Sequence, residues 1–591
     1  MRTGLIPFVV MFSASLALAQ TYDVAMLEVT GDPPAVAGPL SIFGDTSPTL
    51  SEYVSILHDA AADDELEGVI VRMKDATLST SEIEEIGRAM GDVRDAGKGV
   101  YFFAENFGTA ELLLGSYADE VILQQGGAVS LPGLYMEEMY LADTLDWLGL
   151  RADFVQIGDY KGADEAITRT SPSKAWDENI SGLLDAMYAN MRRVLMEGRG
   201  LTEQEMDAAM DALWWADGPR AIESGLIDAE VDLTELFDHI EASARVRGWS
   251  GEKVAYRGEL GPGEEGVDYS NPLLIFAELF QPKHRQTTGP TIALLHINGA
   301  IVDGDSTPAG PFGGASVGSR TIRNAIKKIA RDENIEGVIV RIDSPGGSAI
   351  ASEVIWQGLR RLAAEKPVWV SVGSMAASGG YYIAVGGQKI YVDESSIVGS
   401  IGVVGGKISY GGLLDKVKVH VVGRARGPHA AMSSPTGGWD DHDKALIRER
   451  MIETYEQFTA RVETGRPGIE LDKTAEGRLF LGRDAVALKM ADEVGTLDDA
   501  LNDMADTLGL EEFDVMDFPE PPSLDEMLSN AFGGFMSSPI GGGASLREQL
   551  AAARALLGDE RFTLLRDAAA MGTMLSREPV LLTTPGIVIF R

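Results

Sequence analysis

The sequence predicts an α/β protein: one domain repeated in tandem, each copy a parallel sheet with flanking helices. The first observation is the repeat. VAMLEVTG at Val24–Gly31 returns as IALLHING at Ile292–Gly299, 268 residues later, and EGVIVR stands at both Glu67–Arg72 and Glu336–Arg341, 269 apart. Met187-Tyr188 answers Thr454-Tyr455 and Gly198-Arg199 answers Gly465-Arg466, both at 267, and AIESGLID (Ala221–Asp228) answers AVALKMAD (Ala485–Asp492) at 264. A displacement this steady marks two copies of one unit. The second observation is the alternation of short apolar runs with stretches of helical period, which calls for parallel strands covered by helices. The third is length, since 591 residues exceed a single ordinary core.

Taken along the chain, residues 1–19 come first. Arg2 precedes an apolar run from Leu5 to Leu18, and Ala17-Leu18-Ala19 stands before Gln20, the layout of a secretory signal. The run is shorter than the ~20 apolar residues a membrane span needs. It predicts export, either with cleavage or with the segment retained as an N-terminal anchor. Residues 20–250 form the first copy, and 251–289, rich in Gly, Pro and Glu, a linker. Residues 290–505 form the second copy. There TIALLHI, GVIVRI, PVWVSV and KIYVD are buried strands, and Ser352–Ala364 carries apolar residues at helical spacing. Long helices are expected around Ile180–Met196 and Lys444–Val462. Residues 506–591, with PEPP and GGG breaks and a helix-like Ser545–Leu557, are an extension without a counterpart in the first copy.

Composition narrows the function. The net charge of −40 repels nucleic acid and anionic lipid headgroups, so no nucleic-acid partner is expected. With no cysteine, disulfides, thiolate metal sites and cysteine nucleophiles are excluded. Neither metal-ligand spacing nor a phosphate-binding loop is present, and no cofactor is expected.

The two copies differ where chemistry would sit. In SVGSMAASGGYYIA (Ser371–Ala384), small residues crowd around the Ser378 hydroxyl. Upstream, the strand GVIVRI runs into Asp343-Ser344-Pro345-Gly346-Gly347-Ser348. Such a glycine pair is either an ordinary strand-to-helix turn or a source of exposed N–H groups for a developing oxyanion. The first copy has MKDATLSTSE (Met73–Glu82) there, without glycine, and aligning Val100 with Val368 puts Ala110 opposite Ser378. Packing alone would be needed in both copies, so the difference argues for chemistry. A serine needs a base, and the GxSxG elbow is absent. After LRADFVQI the first copy carries Gly158-Asp159-Tyr160-Lys161-Gly162-Ala163, whereas the matching Gly423–Ser434 has no lysine. One copy holds a candidate nucleophile and the other a candidate base, provided burial lowers the lysine pKa.

These residues resemble a known family. MAASGGYYIA, DSPGGS, the downstream GSIGVVGG and the duplicated, exported chain are similar to the long form of the signal peptide peptidase A family over residues 20–505. That resemblance implies a crotonase-like, Clp-protease-like fold and a serine endopeptidase. It also implies Ser378 as nucleophile, Lys161 as general base and Ser400 as the hydroxyl supporting the lysine. Oxyanion donors would be the N–H of Gly379 and of a glycine in Ser344-Pro345-Gly346-Gly347. Asp159, Asp164 and Glu165 flank Lys161 and would raise its pKa if they faced it. His429 lies where single-copy relatives carry their lysine and is the rival base. Asp343 is expected in a turn or helix cap, and Tyr381 and Tyr382 in core and groove wall.

The expected partners are peptides: cleaved signal peptides and other short apolar or unfolded segments in the cell envelope, near the membrane. By resemblance the expected assembly is a homotetramer, periplasmic or anchored to the inner membrane facing the periplasm. Two other classes remain, a non-catalytic envelope scaffold and a crotonase-type acyl-CoA enzyme.

Overall fold

A computed structural model describes residues 21–36, 48–246, 253–261, 287, 289–307, 315–520, 580–583 and 589–590. The signal-like segment and the helix expected at Ser545–Leu557 lie outside these residues. The remainder is α/β, built from two parallel sheets and a third sheet that joins them.

The first sheet has the order Lys253–Glu259, Thr21–Gly31, Gly68–Ala76, Gly99–Ala104, Glu120–Gln124, Ala229–Val231, every pair parallel. The second runs Leu479–Leu481, Ile397–Gly399, Val368–Ala377, Ile335–Ser344, Thr291–Asn298, Asp514–Phe518, parallel except at the Leu479–Leu481 edge. Ile390–Val392 and Glu493–Val494 branch from the Val368–Ala377 strand. The repeat is visible in the register: Val24 lies opposite Gly68 in one copy, Ile292 opposite Gly337 in the other. The strands are continuous runs of Val, Ile, Leu and Phe because helices cover both faces. Tyr101, Phe102 and Phe103, consecutive on one strand, are all fully buried.

The structure corrects two boundaries. Lys253–Glu259, inside the stretch expected to be linker, is the edge strand of the first sheet. Asp514–Phe518, inside the supposed extension, is the edge strand of the second. Each pairs in parallel with the first strand of its copy, so they are counterparts. Their sequences, KVAYRGE and DVMDF, share no pattern because an edge strand need satisfy only one neighbour. The expected helices are present as Ala349–Leu362, Lys174–Arg199 and Asp441–Gly465.

The copies meet along helix Thr80–Asp95 of the first and strand Val368–Ala377 of the second. At the centre Arg341, largely shielded from solvent, forms an ion pair with buried Glu85 and donates to Ser371 Oγ at 2.8 Å. Ser81 and Ser374 share a hydroxyl contact of 3.0 Å, and Arg88 pairs with Asp499 at 2.9 Å. Burial, with Glu85 nearby, pushes the Asp393 carboxyl well above its usual range. Removing one partner of a buried pair leaves an uncompensated charge. Glu85→Ala should therefore cost about 3–5 kcal/mol, and Glu85→Leu with Arg341→Met should recover most of it. Urea-unfolding midpoints of the three proteins check this, and equal losses in the single and double variants would be against it.

Candidate active site

Ser378 sits between strand Val368–Ala377 and the short helix Gly379–Ala384, in the left-handed region at φ 55°. That conformation is costly for a residue with a Cβ, about 1–3 kcal/mol, and is held only where the surroundings enforce it. Here Ser378 N donates to Gly399 O at 2.8 Å, and Tyr382 N donates to Ser378 O at 2.8 Å. Gly380 lets the helix approach the end of the neighbouring strand Ile335–Ser344, since a Cβ there would stand 2.7 Å from Ser344 O. Tyr381 and Tyr382 are buried, as expected for core. Their hydroxyls donate to Met490 O at 2.8 Å and Glu353 Oε2 at 2.5 Å.

Lys161 reaches this serine from the other copy. Strand Arg151–Ile157 leaves the first copy and pairs antiparallel with Val403–Ser409 of the second, from Val403 opposite Ile157 to Ser409 opposite Arg151. Buried Asp153 locks the strand in place, accepting from Trp439 N at 3.1 Å and pairing with Lys444 at 3.1 Å. The chain then turns at Gly158, and Tyr160 N donates to Glu476 O at 2.8 Å under the Arg478 guanidinium, 4.1 Å from the Tyr160 ring. Gly477 comes so close that a Cβ on it would lie 2.5–2.7 Å from the N, Cα and Cβ of Lys161.

Lys161 is 1% exposed and Ser378 is fully buried. Lys161 Nζ donates to Ser378 Oγ at 2.6 Å, to Ser400 O at 2.8 Å and to Ser400 Oγ at 2.8 Å. Burial pushes the lysine amine well below its ordinary pKa, because the charged form loses its hydration. A neutral amine has two N–H donors and one lone pair. With both Ser400 oxygens taking the donors, the lone pair is left for the Ser378 hydroxyl. Ser400 is itself held at φ 53°, its N–H donating to Arg478 O at 2.6 Å.

The flanking acids do not face the amine. Asp159, Asp164 and Glu165 line a separate cleft of ≈ 600 Å³, with Phe154 and Lys444. Glu165 accepts from Ser173 N at 2.6 Å, and burial raises the Asp164 carboxyl to about 6. His429 is exposed, its ring 6.3 Å from that of His442, and makes no contact with Ser378 among the described residues.

The glycine pair forms a strand of its own, Gly346–Ser348, with Gly347 opposite Ile301 at φ 155°. A Cβ on Gly347 would stand 2.0 Å from Ile301 O, so glycine is required there. Gly346 differs from the expected free donor: its N–H is taken by Ser344 Oγ at 3.1 Å, and that hydroxyl donates to Gly299 O at 2.7 Å. Gly379, the first residue of its helix, has no intrahelical acceptor for its N–H. Asp343 caps no helix. It is the penultimate residue of strand Ile335–Ser344, and Ser348 caps the following helix by accepting from Ala351 N at 3.1 Å. In the first copy the corresponding strand ends in a capping box of Ser79 and Glu82, and Ala110 lies in the first turn of helix Thr109–Gly115.

Sequence reading missed Ser344, Gly477 and Gly402. Ser344 stood within the quoted DSPGGS, but nothing in the sequence shows that its hydroxyl holds the turn. Gly402, whose Cβ would lie 3.1 Å from Lys161 Cδ, belongs to the quoted GSIGVVGG.

The profile described as Peptidase family S49 matches residues 92–247 and 360–511. Protease 4 of Salmonella typhi is 29% identical over 509 residues, 83% of this chain and 78% of that protein. Protease 4 of Haemophilus influenzae is 28% identical over 464 residues, 76% of this chain and 72% of that protein. Among solved structures, a mutant of the 1510-N membrane-bound stomatin-specific protease in complex with a substrate peptide is 17% identical. It covers 42% of this chain and 98% of its own, with a TM-score of 0.26.

Gly477→Ala should displace Lys161 and slow acylation of Ser378 by a serine-directed probe by about 100-fold, the scale of a 1 Å misplacement. An unchanged labelling rate in a folded variant would show that Gly477 does not set the lysine position.

Proposed function

The chain belongs to peptidase family S49 and is a serine-type peptidase, and from that premise we propose the following division of labour. Lys161 takes the proton of Ser378, and Ser378 Oγ attacks a peptide carbonyl. The backbone N–H groups of Gly379 and Gly347 hold the oxyanion. Lys161 returns the proton to the leaving amine, and water then hydrolyses the acyl-enzyme by the same route. Ser400 keeps the amine oriented between these steps. The observation that carries this reading is the buried 2.6 Å contact between Lys161 Nζ and Ser378 Oγ. Neither the scaffold nor the acyl-CoA reading has a use for that contact.

The substrates of this reading are cleaved signal peptides and other short apolar or unfolded peptides of the cell envelope. An extended peptide adds a strand beside Gly346–Ser348 and is held mainly by its backbone. Residues 20–250 supply the base and 290–505 the nucleophile, with a strand from each neighbouring segment completing its sheet. The site of action is periplasmic or at the inner membrane, and the assembly is a homotetramer. Among the described residues no helix is long and apolar enough to cross a membrane.

Hydrolysis of a fluorogenic apolar peptide should fall to background in both Ser378→Ala and Lys161→Ala. Near-wild-type activity in folded Lys161→Ala would remove the cross-copy base.

Only the neutral amine accepts a proton, so kcat/KM should fall as pH drops through the lowered Lys161 pKa. The ascending limb should lie below the ordinary lysine range. Unfolded Lys161 binds its proton more tightly than folded Lys161, so the group lowers stability until pH approaches the ordinary lysine value. Lys161→Met should accordingly be inert yet unfold at a higher temperature near neutral pH. A lower Tm for Lys161→Met would contradict the burial account.

A further inference from the structure

The cleft that takes the flanking acids away from Lys161 has no part in the reaction described above. It measures ≈ 600 Å³, within the roughly 300–1,000 Å³ of small-molecule sites. Phe154, Val155 and Gln156 all line it, together with Asp159, Asp164 and Arg448. Successive side chains on a strand point to opposite faces, so three consecutive residues share a cleft only along the edge of the strand. Arg151–Ile157 is the outermost strand of the third sheet and pairs with Val403–Ser409 on one side alone. Among the described residues, no backbone group of another segment bonds to its outer edge. A strand edge left open is a template for a further chain.

The walls of the cleft carry unmet charge. Asp159 and Asp164 stand on the turn after the strand, and Asp164 is 7% exposed. Its Oδ2 accepts from Thr168 Oγ1 at 3.2 Å, while Oδ1, buried in the wall, has no hydrogen-bond partner. A buried carboxylate oxygen without a partner bears the full cost of its lost hydration. Burial, with Glu165 nearby and Arg169 opposing it, raises this carboxyl to about 6, so it is largely ionised at neutral pH. Glu165 is already engaged, by Ser173 N at 2.6 Å and Arg169 at 3.7 Å. Helix Asp441–Gly465 supplies another wall with Lys444 and Arg448, one turn apart. Lys444 is held by Asp153 at 3.1 Å, but exposed Arg448 has no ion pair among the described residues.

Three groups thus lack a complement: a carboxylate, a guanidinium and a strand edge. A single ion or a simple amine would meet one of them. A peptide with free termini carries an ammonium, a carboxylate and a backbone, and meets all three. We infer that this cleft is a peptide site separate from the groove at Ser378. A short peptide lies along the outer edge of Arg151–Ile157, its ammonium on Asp164 and its carboxylate on Arg448. Ala152 to Gln156 spans roughly 13 Å, the length of a tetrapeptide. The site does not depend on the chemistry at Ser378.

The probe is tetra-alanine with free termini, titrated calorimetrically into full-length Ser378→Ala so that cleavage cannot deplete it. Binding of one peptide per chain is expected. Acetylating its amine should weaken binding by about tenfold or more, as should adding Asp164→Asn, the scale of losing a hydrogen bond to a charged group. Arg448→Gln, on the exposed face of its helix, should weaken it by a smaller factor. The acetylated peptide leaves the protein unaltered, so it decides the matter if Asp164→Asn does not fold. Equal binding of the free and acetylated peptides overturns the proposal. So does an absence of peptide binding, including the case where calcium or magnesium chloride binds in an Asp164-dependent way and the cleft is a cation site. Hydrolysis by the wild type is read separately and can be present or absent with either result.

Discussion

The antiparallel pairing of Arg151–Ile157 with Val403–Ser409 is the constraint on which the site depends. It is the connection that carries backbone of the first copy into a sheet of the second, and Lys161 follows it by four residues. Asp153, buried under Trp439 and Lys444, fixes the register of that pair. A slip of one residue would turn every side chain on the strand to the opposite face. Lys161 would then leave the Ser378 hydroxyl, and the buried amine would lose its three hydrogen-bonding partners.

Two opposed costs are held together at this point. Desolvation disfavours the charged amine and so favours the neutral form with its lone pair free. Ser378 and Ser400 both occupy left-handed backbone, which disfavours the folded chain locally. Both are sustained by the two parallel cores, whose strands are buried on each face. Glycine at 402 and 477 contributes by leaving out atoms, so that second-copy backbone closes around the lysine stem and excludes water.

Much of this could be read from the sequence, for identifiable reasons. The duplication was legible because buried parallel strands keep their apolar residues in both copies, as in the two EGVIVR runs. The pairing of Lys161 with Ser378 was legible because each residue lacks a counterpart in the other copy. Edge strands were not: KVAYRGE and DVMDF answer to one neighbour and to solvent, and so share no pattern. Nor was the turn at Gly346 fully legible, because whether an N–H is free depends on where the Ser344 hydroxyl points. The orientation of Asp159, Asp164 and Glu165 was also hidden. Their proximity in sequence to Lys161 suggested a charge effect, but the turn at Gly158 sends them to a different cleft.

Placing the lysine and the serine on one polypeptide changes what kind of event creates the site. In an assembly of identical single units, a centre shared between neighbours forms by association and is lost on dilution. Here the two halves meet as the chain folds, a first-order process that does not depend on how many molecules are present. The stoichiometry of the halves is fixed at one to one by translation. Under the proposed division of labour each copy is also relieved of half the chemistry, and the first keeps a capping box where the second keeps its glycine turn.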